Sequence, residues 1–184
     1  MTARHTAAES ARTRDSIDRH ILRWEREVPG LEPELEGAVT RMQMLVRHLH
    51  EEKEAALGRH GLKLWEYEIL WRLRSAGEPY RMAPTRLARG LGVHPATLTS
   101  RLDRLQSAGL ITREHTAEDR RSLLVGLTPR GAETWAAVID DQRAAEAGLL
   151  APLTGKQVGD LAALLRVVAL AVEEHGPPLM PDLD

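Results

Sequence analysis

Apolar residues recur at helical spacing along most of this chain. Residues 16–27 are predicted to form a first helix, because apolar side chains occur there at steps of four, three and four. They are Ile17, Ile21, Trp24 and Val28. Further helices are predicted over 34–57, 62–74, 129–150 and 161–174. The last of these is apolar on more than one face, which predicts that another subunit covers it.

The segment from Tyr80 to Gly131 departs from the long-helix pattern. Pro84 and Pro95 each suit the first position of a helix, and the glycines at 90 and 92 are expected to bracket a tight turn between the two helices. Gly109 closes the second helix. Two helices joined by so short a turn are typical of a helix-turn-helix, whose second helix lies in the major groove of DNA.

Two short β-type runs follow that second helix. Leu110 and Ile111 begin one predicted strand, and 123–125 form the other. The loop between them, 114–122, carries Arg120 and Arg121. A basic loop between two strands is expected to act as a wing that reaches the minor groove of DNA.

The second helix separates an apolar face from a polar one. Leu98, Leu102 and Leu105 fall within one sector at about 100° per residue, so we expect them to face the core. Arg101 lies at the border of this sector and is expected to point towards the protein. The predicted DNA contacts are Ala96, Thr97, Thr99, Ser100 and Arg104 of this helix together with Asp119, Arg120 and Arg121 of the wing.

Charge supports the same interpretation. Residues 81–121 contain eight Arg and no Lys against four acidic residues, a local net charge of +4, whereas the whole chain carries −2. A basic segment in an acidic chain is the electrostatic pattern expected of a nucleic-acid contact.

Composition narrows the possible classes of protein. The chain has 184 residues, 42% of them hydrophobic, and no cysteine, which excludes disulfides, thiolate metal sites and thiol redox sensing in these residues. We find no apolar run long enough to span a bilayer and no secretion signal, so a cytoplasmic protein without membrane contact is expected. No catalytic motif is present and no cofactor is predicted. His48 with Glu52 and His50 with Glu54 are spaced to bind a metal ion, but a solvated helix face explains them as well, and no metal site is predicted.

The segments PTRLARGLG, DRRS and LTPRG resemble those of the MarR family of winged-helix transcription regulators. The resemblance extends from Ser16 to about Glu174. It implies a mainly α fold with a small β-wing, in which a winged helix-turn-helix is flanked by dimerisation helices. The expected parts are an arm with an extra helix at 1–30, dimerisation helices at 31–60 and 129–175, the DNA-binding domain at 61–128 and a flexible tail at 176–184.

The segments SIDRHILRWEREVPGLEPEL and GLKLWEYEILWRLR are similar to the urate-responsive branch of that family, which has an extra amino-terminal helix. The resemblance implies a site for a small anionic aromatic ligand, and its residues fall on Trp24, Glu68, Arg101 and Arg113. In the empty state the carboxylate would hold an arginine. This chain has Glu68 where the branch usually has aspartate, so its ligand can differ. The alternative is that Trp24 only packs the arm and that Glu68 with Arg113 is a structural ion pair.

The expected function is that of a homodimeric transcription regulator, most simply a repressor, which binds a pseudo-palindromic site in double-stranded DNA. Urate or a related anion is expected to release it from that site. One alternative is a regulator of the same family with a different ligand or none. A second is a helical scaffold whose basic segment binds an acidic partner.

Overall fold

The computed structural model describes residues 14–115 and 123–180. The chain divides into two compact units, Met1–Glu51 and Glu52–Asp184, and each is described by itself. Elements are numbered in chain order through both units. The mainly helical fold with a small antiparallel sheet confirms the predicted fold class.

The first unit contains α1 (Ser16–Trp24) and most of α2 (Pro33–Arg59). Asp15 caps α1 by accepting from the backbone N–H of Ile17 and Asp18, both at 2.9 Å. Arg41 of α2 pairs with Asp15 at 2.8 Å and with Asp18 at 2.6 Å. The hydrogen bond from Arg41 lowers the pKa of Asp15 below its usual value. Gly37 faces this contact, because a side chain there would meet Arg41 and Ile21.

The second unit contains the end of α2 and all later elements. Its helices are α3 (Leu64–Ser75), α4 (Pro84–Leu91), α5 (Pro95–Ser107), α6 (Pro129–Leu150) and α7 (Gly155–Glu173). Its strands are β1 (Arg81–Met82), β2 (Ile111–His115) and β3 (Leu123–Leu127). They form an antiparallel sheet in the order β1-β3-β2, with Ile111 opposite Leu127 and His115 opposite Leu123.

The core of this unit lies between α3, α4, α5, α6 and the sheet. Its fully buried side chains include Ile69, Leu70, Leu73, Leu87, Leu98, Leu105, Ile111, Val125 and Val138. Burial of a side chain of this size contributes about 1.5 to 3 kcal/mol, so this cluster holds the two helices of the helix-turn-helix against the sheet.

The turn between α4 and α5 is bounded by the cap residues of the two helices, which are recognisable in the sequence. Gly92 ends α4 in the left-handed region at φ 62°, and Pro95 opens α5. The ring of His94 accepts a hydrogen bond from the N–H of Ala96 at 3.2 Å. Gly90, which we expected at the start of the turn, lies inside α4 and contacts Arg72 of α3.

The start of α6 is fixed to the end of α5. Thr128 caps α6 by accepting from the N–H of Gly131 at 2.9 Å, and its hydroxyl donates to the carbonyl oxygen of Gly109 at 2.8 Å. The observed bounds of α6 match the predicted 129–150.

The last helix, α7, is longer at its start than the predicted 161–174. Its apolar side chains are exposed in the single chain, and Leu164 retains 68% of its accessible surface. The described part of the chain has no helix both long and apolar enough to cross a membrane.

Candidate DNA-binding and ligand sites

Helix α5 presents one face to solvent while its opposite face anchors it. Leu98, Leu102 and Leu105 are buried in the core, as their spacing predicted. Because burial of these three side chains fixes the rotation of the helix about its axis, it also determines which of the remaining side chains face solvent.

The exposed face carries small side chains. Ala96, Thr97, Thr99 and Ser100 are all exposed. The hydroxyl of Thr99 donates to the carbonyl oxygen of Pro95 at 3.0 Å, and that of Ser100 donates to the carbonyl oxygen of Thr97 at 2.9 Å. These hydroxyls lie on the surface and can rotate towards a partner, so this face can approach base edges closely.

Arg104 is half exposed at the end of this face, and its side chain turns back to the protein. Its Nε lies 2.8 Å from Oε1 of Glu66, which is buried at the start of α3. Sequence reasoning missed Glu66. A glutamate at the third position of a helix is a signal for a helix cap. This signal does not show that the same side chain also pairs with an arginine on another helix.

Arg101 is half-buried and lies against α3. Its guanidinium carbon is 5.2 Å from the centre of the Trp65 ring, and that of Arg104 is 5.7 Å from the same centre. These distances are in the range of cation–π contacts. The two arginines therefore share one aromatic partner on α3.

Arg113 of β2 lies on the other flank of α5. Its Nη1 is 2.8 Å from the carboxylate of Asp103, and its Nη2 donates to the carbonyl oxygen of Thr99 at 3.2 Å. Its Nε is buried without a hydrogen-bond partner among the described residues. The structural ion pair of Arg113 with Glu68, which was the alternative interpretation, is not formed, because Arg113 contacts α5 whereas Glu68 lies beside α4.

Glu68 lines a cavity of about 170 Å³ beside α4, together with Trp71, Arg72, Gly90 and Leu91. Arg72 crosses this region to donate to the carbonyl oxygen of Gly90 at 2.6 Å. The structure thus places Glu68, Arg101 and Arg113 in three different surroundings.

Trp24, the remaining residue of the expected ligand set, belongs to the first unit. It ends α1, is 44% exposed, and its ring centre lies 5.9 Å from that of His20. Exposure of this extent leaves the indole free to contact another group.

The tip of the wing, with Asp119, Arg120 and Arg121, lies outside the described residues. The base of the wing is formed by the pairing of β2 with β3. Arg81 of β1 pairs with Glu114 of β2 at 3.3 Å across the sheet. No group of three or more potential metal ligands occurs within 14–115 and 123–180.

Comparison with known proteins gives consistent matches. The sequence model of the MarR family matches residues 62–123. The chain is 31% identical over 158 residues to the HTH-type transcriptional regulator PecS of Dickeya dadantii, a match that covers 84% of this chain and 91% of that protein.

Solved structures show the same fold. The YusO protein from Bacillus subtilis superposes with a TM-score of 0.68 at 24% identity, over 77% of this chain and 99% of that chain. A mutant of MepR from S. aureus, solved bound to an oligodeoxyribonucleotide, gives a TM-score of 0.63 at 18% identity, over 73% of this chain and 97% of that chain.

Proposed function

Because this chain belongs to the MarR family of transcriptional regulators, we propose that it is a homodimeric repressor that leaves its DNA site when a small anionic aromatic ligand binds. Recognition of DNA is assigned to α5 and the wing. Dimerisation is assigned to α2, α6 and α7, and the response to ligand is assigned to Arg101 on α5 and Arg113 beside it.

The observation that carries the DNA-binding proposal is the arrangement of α5. Its apolar face is fully used in the core, and its other face is exposed, small and polar. Such a helix can enter the major groove without losing contacts that hold the fold. The wing arginines at 120 and 121 would then contact the adjacent minor groove, and Asp119 would orient them by charge-assisted hydrogen bonds.

The dimer proposal rests on exposed apolar surface. The outer helix α7 exposes seven large apolar side chains: Leu161, Leu164, Leu165, Val167, Val168, Leu170 and Val172. In the first unit α2 likewise exposes Leu35, Val39, Met42, Leu45 and Val46. Apolar surface of this extent is unusual on a monomer and typical of an interface between subunits.

The ligand proposal has its best structural support at Arg113. This side chain is 17% exposed, carries a buried Nε without a partner among the described residues, and contacts α5 through Asp103. A planar anion with two acceptors suits an arginine side chain better than a single carboxylate oxygen does. Following the resemblance, we assign Trp24, Glu68 and Arg101 as further ligand contacts, and urate or a related compound as the ligand.

The experiment that tests the proposal is selection of binding sites from a pool of random DNA duplexes by the purified chain. A pseudo-palindromic sequence with half-sites about one helical turn apart is expected. Affinity for the selected duplex should exceed that for a scrambled duplex by at least about 1,000-fold and should fall steeply with salt. A protein that only binds acidic partners would show the salt dependence without preference for any sequence.

A further inference from the structure

A buried carboxylate connects α3 to the DNA-reading helix. Glu66 is only 4% exposed, and it is the one charged residue buried in the part of the chain that the structure describes. One oxygen accepts from the backbone N–H of Lys63 at 2.7 Å, and the other lies 2.8 Å from Nε of Arg104. A buried carboxylate requires such partners, because loss of water around it is costly. Glu66 therefore holds Arg104 firmly.

The contact with Arg104 is reinforced by its neighbours on both helices. Trp65 precedes Glu66, and its ring lies beside the guanidinium groups of Arg101 and Arg104 at 5.2 and 5.7 Å. Residues three positions apart share one face of a helix. One flank of α5 is therefore attached to the start of α3 through an ion pair and two cation–π contacts.

The opposite flank of α5 has an ion pair of its own, between Asp103 and Arg113 at 2.8 Å. Asp103 and Arg104 are consecutive, so their side chains leave the helix about 100° apart. Rotation of α5 about its axis in either direction must stretch one of the two pairs. A rotation of about 20° would move side-chain tips by about 2 Å, which is enough to break hydrogen bonds to base edges.

We propose that Glu66 is a positioning residue for DNA recognition, which acts through Arg104 to fix the rotation of α5. In this role Arg104 contributes to sequence recognition by its contact with Glu66, and it does not bind a DNA phosphate. The inference rests on the proposed binding of DNA by α5.

The test is a double-mutant cycle of Glu66→Gln and Arg104→Met. The glutamine keeps the shape of the side chain and an acceptor for the N–H of Lys63, while the charge that holds Arg104 is lost. The methionine keeps the stem of the arginine and removes its donors. The matched control is Glu133→Gln, which removes an exposed carboxylate of α6. Each variant is titrated with the duplex selected by the unaltered chain and with a scrambled duplex, over a range of salt concentrations.

The expected result is a fall of about tenfold in the ratio of selected to scrambled affinity for each single variant. The double variant should lose no more than either single variant, because both changes remove the same constraint. The dependence of affinity on salt should keep its slope in all three, since no phosphate contact is lost. The control should behave like the unaltered chain.

The proposal is overturned if a folded Glu66→Gln variant keeps its affinity ratio within about twofold, even where its thermal stability falls. It is equally overturned if Arg104→Met lowers the slope of the salt dependence by about one unit, since that is the effect of removing a phosphate contact. Should Glu66→Gln not fold, Arg104→Met alone decides by the same two readouts. If the unaltered chain selects no duplex at all, the proposed function fails, and this inference fails with it before any variant is made.

Discussion

Among single residues, Gly131 shows how closely α6 approaches Leu110, which follows the end of α5. A Cβ atom at this position would lie 2.1 Å from the carbonyl oxygen of Leu110 and 3.0 Å from its carbonyl carbon. These are backbone atoms, which cannot turn aside as the end of a flexible side chain can. Only glycine allows α6 to start in this place.

We therefore expect Gly131→Ala to lower the free energy of unfolding by about 1 to 3 kcal/mol. Chemical denaturation measures it. The matched control is Gly148→Ala in the same helix, where nothing lies within 4 Å of the added methyl. That substitution should stabilise by about 0.5 to 1 kcal/mol, as alanine does in helices. Equal effects of the two substitutions would contradict the close approach.

Asp141 of α6 makes stability depend on pH. Its carboxylate lies 3.0 Å from Nε of Arg59 and 3.0 Å from Nε2 of His60. The hydrogen bond from Arg59, followed by that from His60, lowers the pKa of Asp141 below its usual value. A lowered pKa in the folded state means that the stabilisation is fully present above the unfolded pKa and is lost as pH falls through the folded value.

Asp141→Asn should therefore reduce the free energy of unfolding near pH 7, and this loss should shrink as pH falls below the unfolded pKa of about 3.9. Denaturation curves at a series of pH values give this difference. Asp140→Asn is the control, because Asp140 is exposed and its contact with Arg143 spans 4.0 Å. A loss for Asp141→Asn that did not vary with pH would show that packing, and not charge, is responsible.

At the scale of elements, the sequence predicts the helices better than the sheet. Prolines at 84, 95 and 129 each open a helix, and the glycines at 92 and 109 have positive φ just after α4 and α5. These are local signals, so they can be read without knowledge of the fold. Strand β1 has two residues, Arg81 and Met82, which is too short for any periodic pattern, and it was not predicted.

The ion pairs around α5 were beyond sequence reasoning for a different reason. Arg113 is ten positions from Asp103, and Arg104 is 38 positions from Glu66. Which carboxylate meets which arginine depends on how α3 and β2 pack against α5, and periodicity carries no information on that. The amphipathic division of α5 was predictable, because it follows from the angle between residues of one helix.

The two arginines of the wing loop can be tested by substitution. Arg121→Ala should weaken binding to the selected duplex by about 1 to 3 kcal/mol, because an arginine at the tip of a basic loop suits the narrow, electronegative minor groove. Arg120→Ala tested beside it shows which arginine carries the contact. Unchanged affinity of both variants in a gel-shift titration, with an intact fold, would show that the wing does not touch DNA.

At the scale of the whole molecule, exposed apolar surface on α7 predicts the oligomeric state. Leu164 is among its most exposed side chains, so an aspartate there has no steric reason to disturb a single chain. We expect the unaltered chain to sediment as a dimer at low micromolar concentration, and Leu164→Asp to be monomeric or unfolded and unable to bind a palindrome. Arg166→Glu is the control, since position 166 points about 160° away on the same helix. A folded monomer from the unaltered chain would remove the basis of the dimer proposal.

Release from DNA would require coupling between the proposed ligand site and the proposed DNA-binding helix, α5, of each subunit in a dimer. A ligand shifts an equilibrium only by its difference in affinity for two states, so a 100-fold loss of DNA affinity requires about 2.7 kcal/mol of coupling. Hydrogen bonds to charged groups contribute about 1.5 to 3 kcal/mol each, so two arginine contacts suffice. Arg113 also contacts Asp103 and the carbonyl oxygen of Thr99, both on α5, so a ligand that draws it away changes what holds that helix.

We therefore expect urate or a related planar anion to quench the fluorescence of Trp24 and to release the selected duplex. Arg113→Ala should abolish this release while the selected duplex is still bound, with its affinity lowered by no more than about tenfold because the ion pair with Asp103 is lost. Asp103→Asn is the informative comparison, because it frees Arg113 from its carboxylate and keeps the arginine; release should then need less ligand. With Trp24→Phe as the reference for fluorescence, a panel of purines and aromatic acids that neither binds nor releases DNA would refute the ligand proposal. In that case Arg113 is a structural tie between β2 and α5, and regulation has to act elsewhere in the molecule.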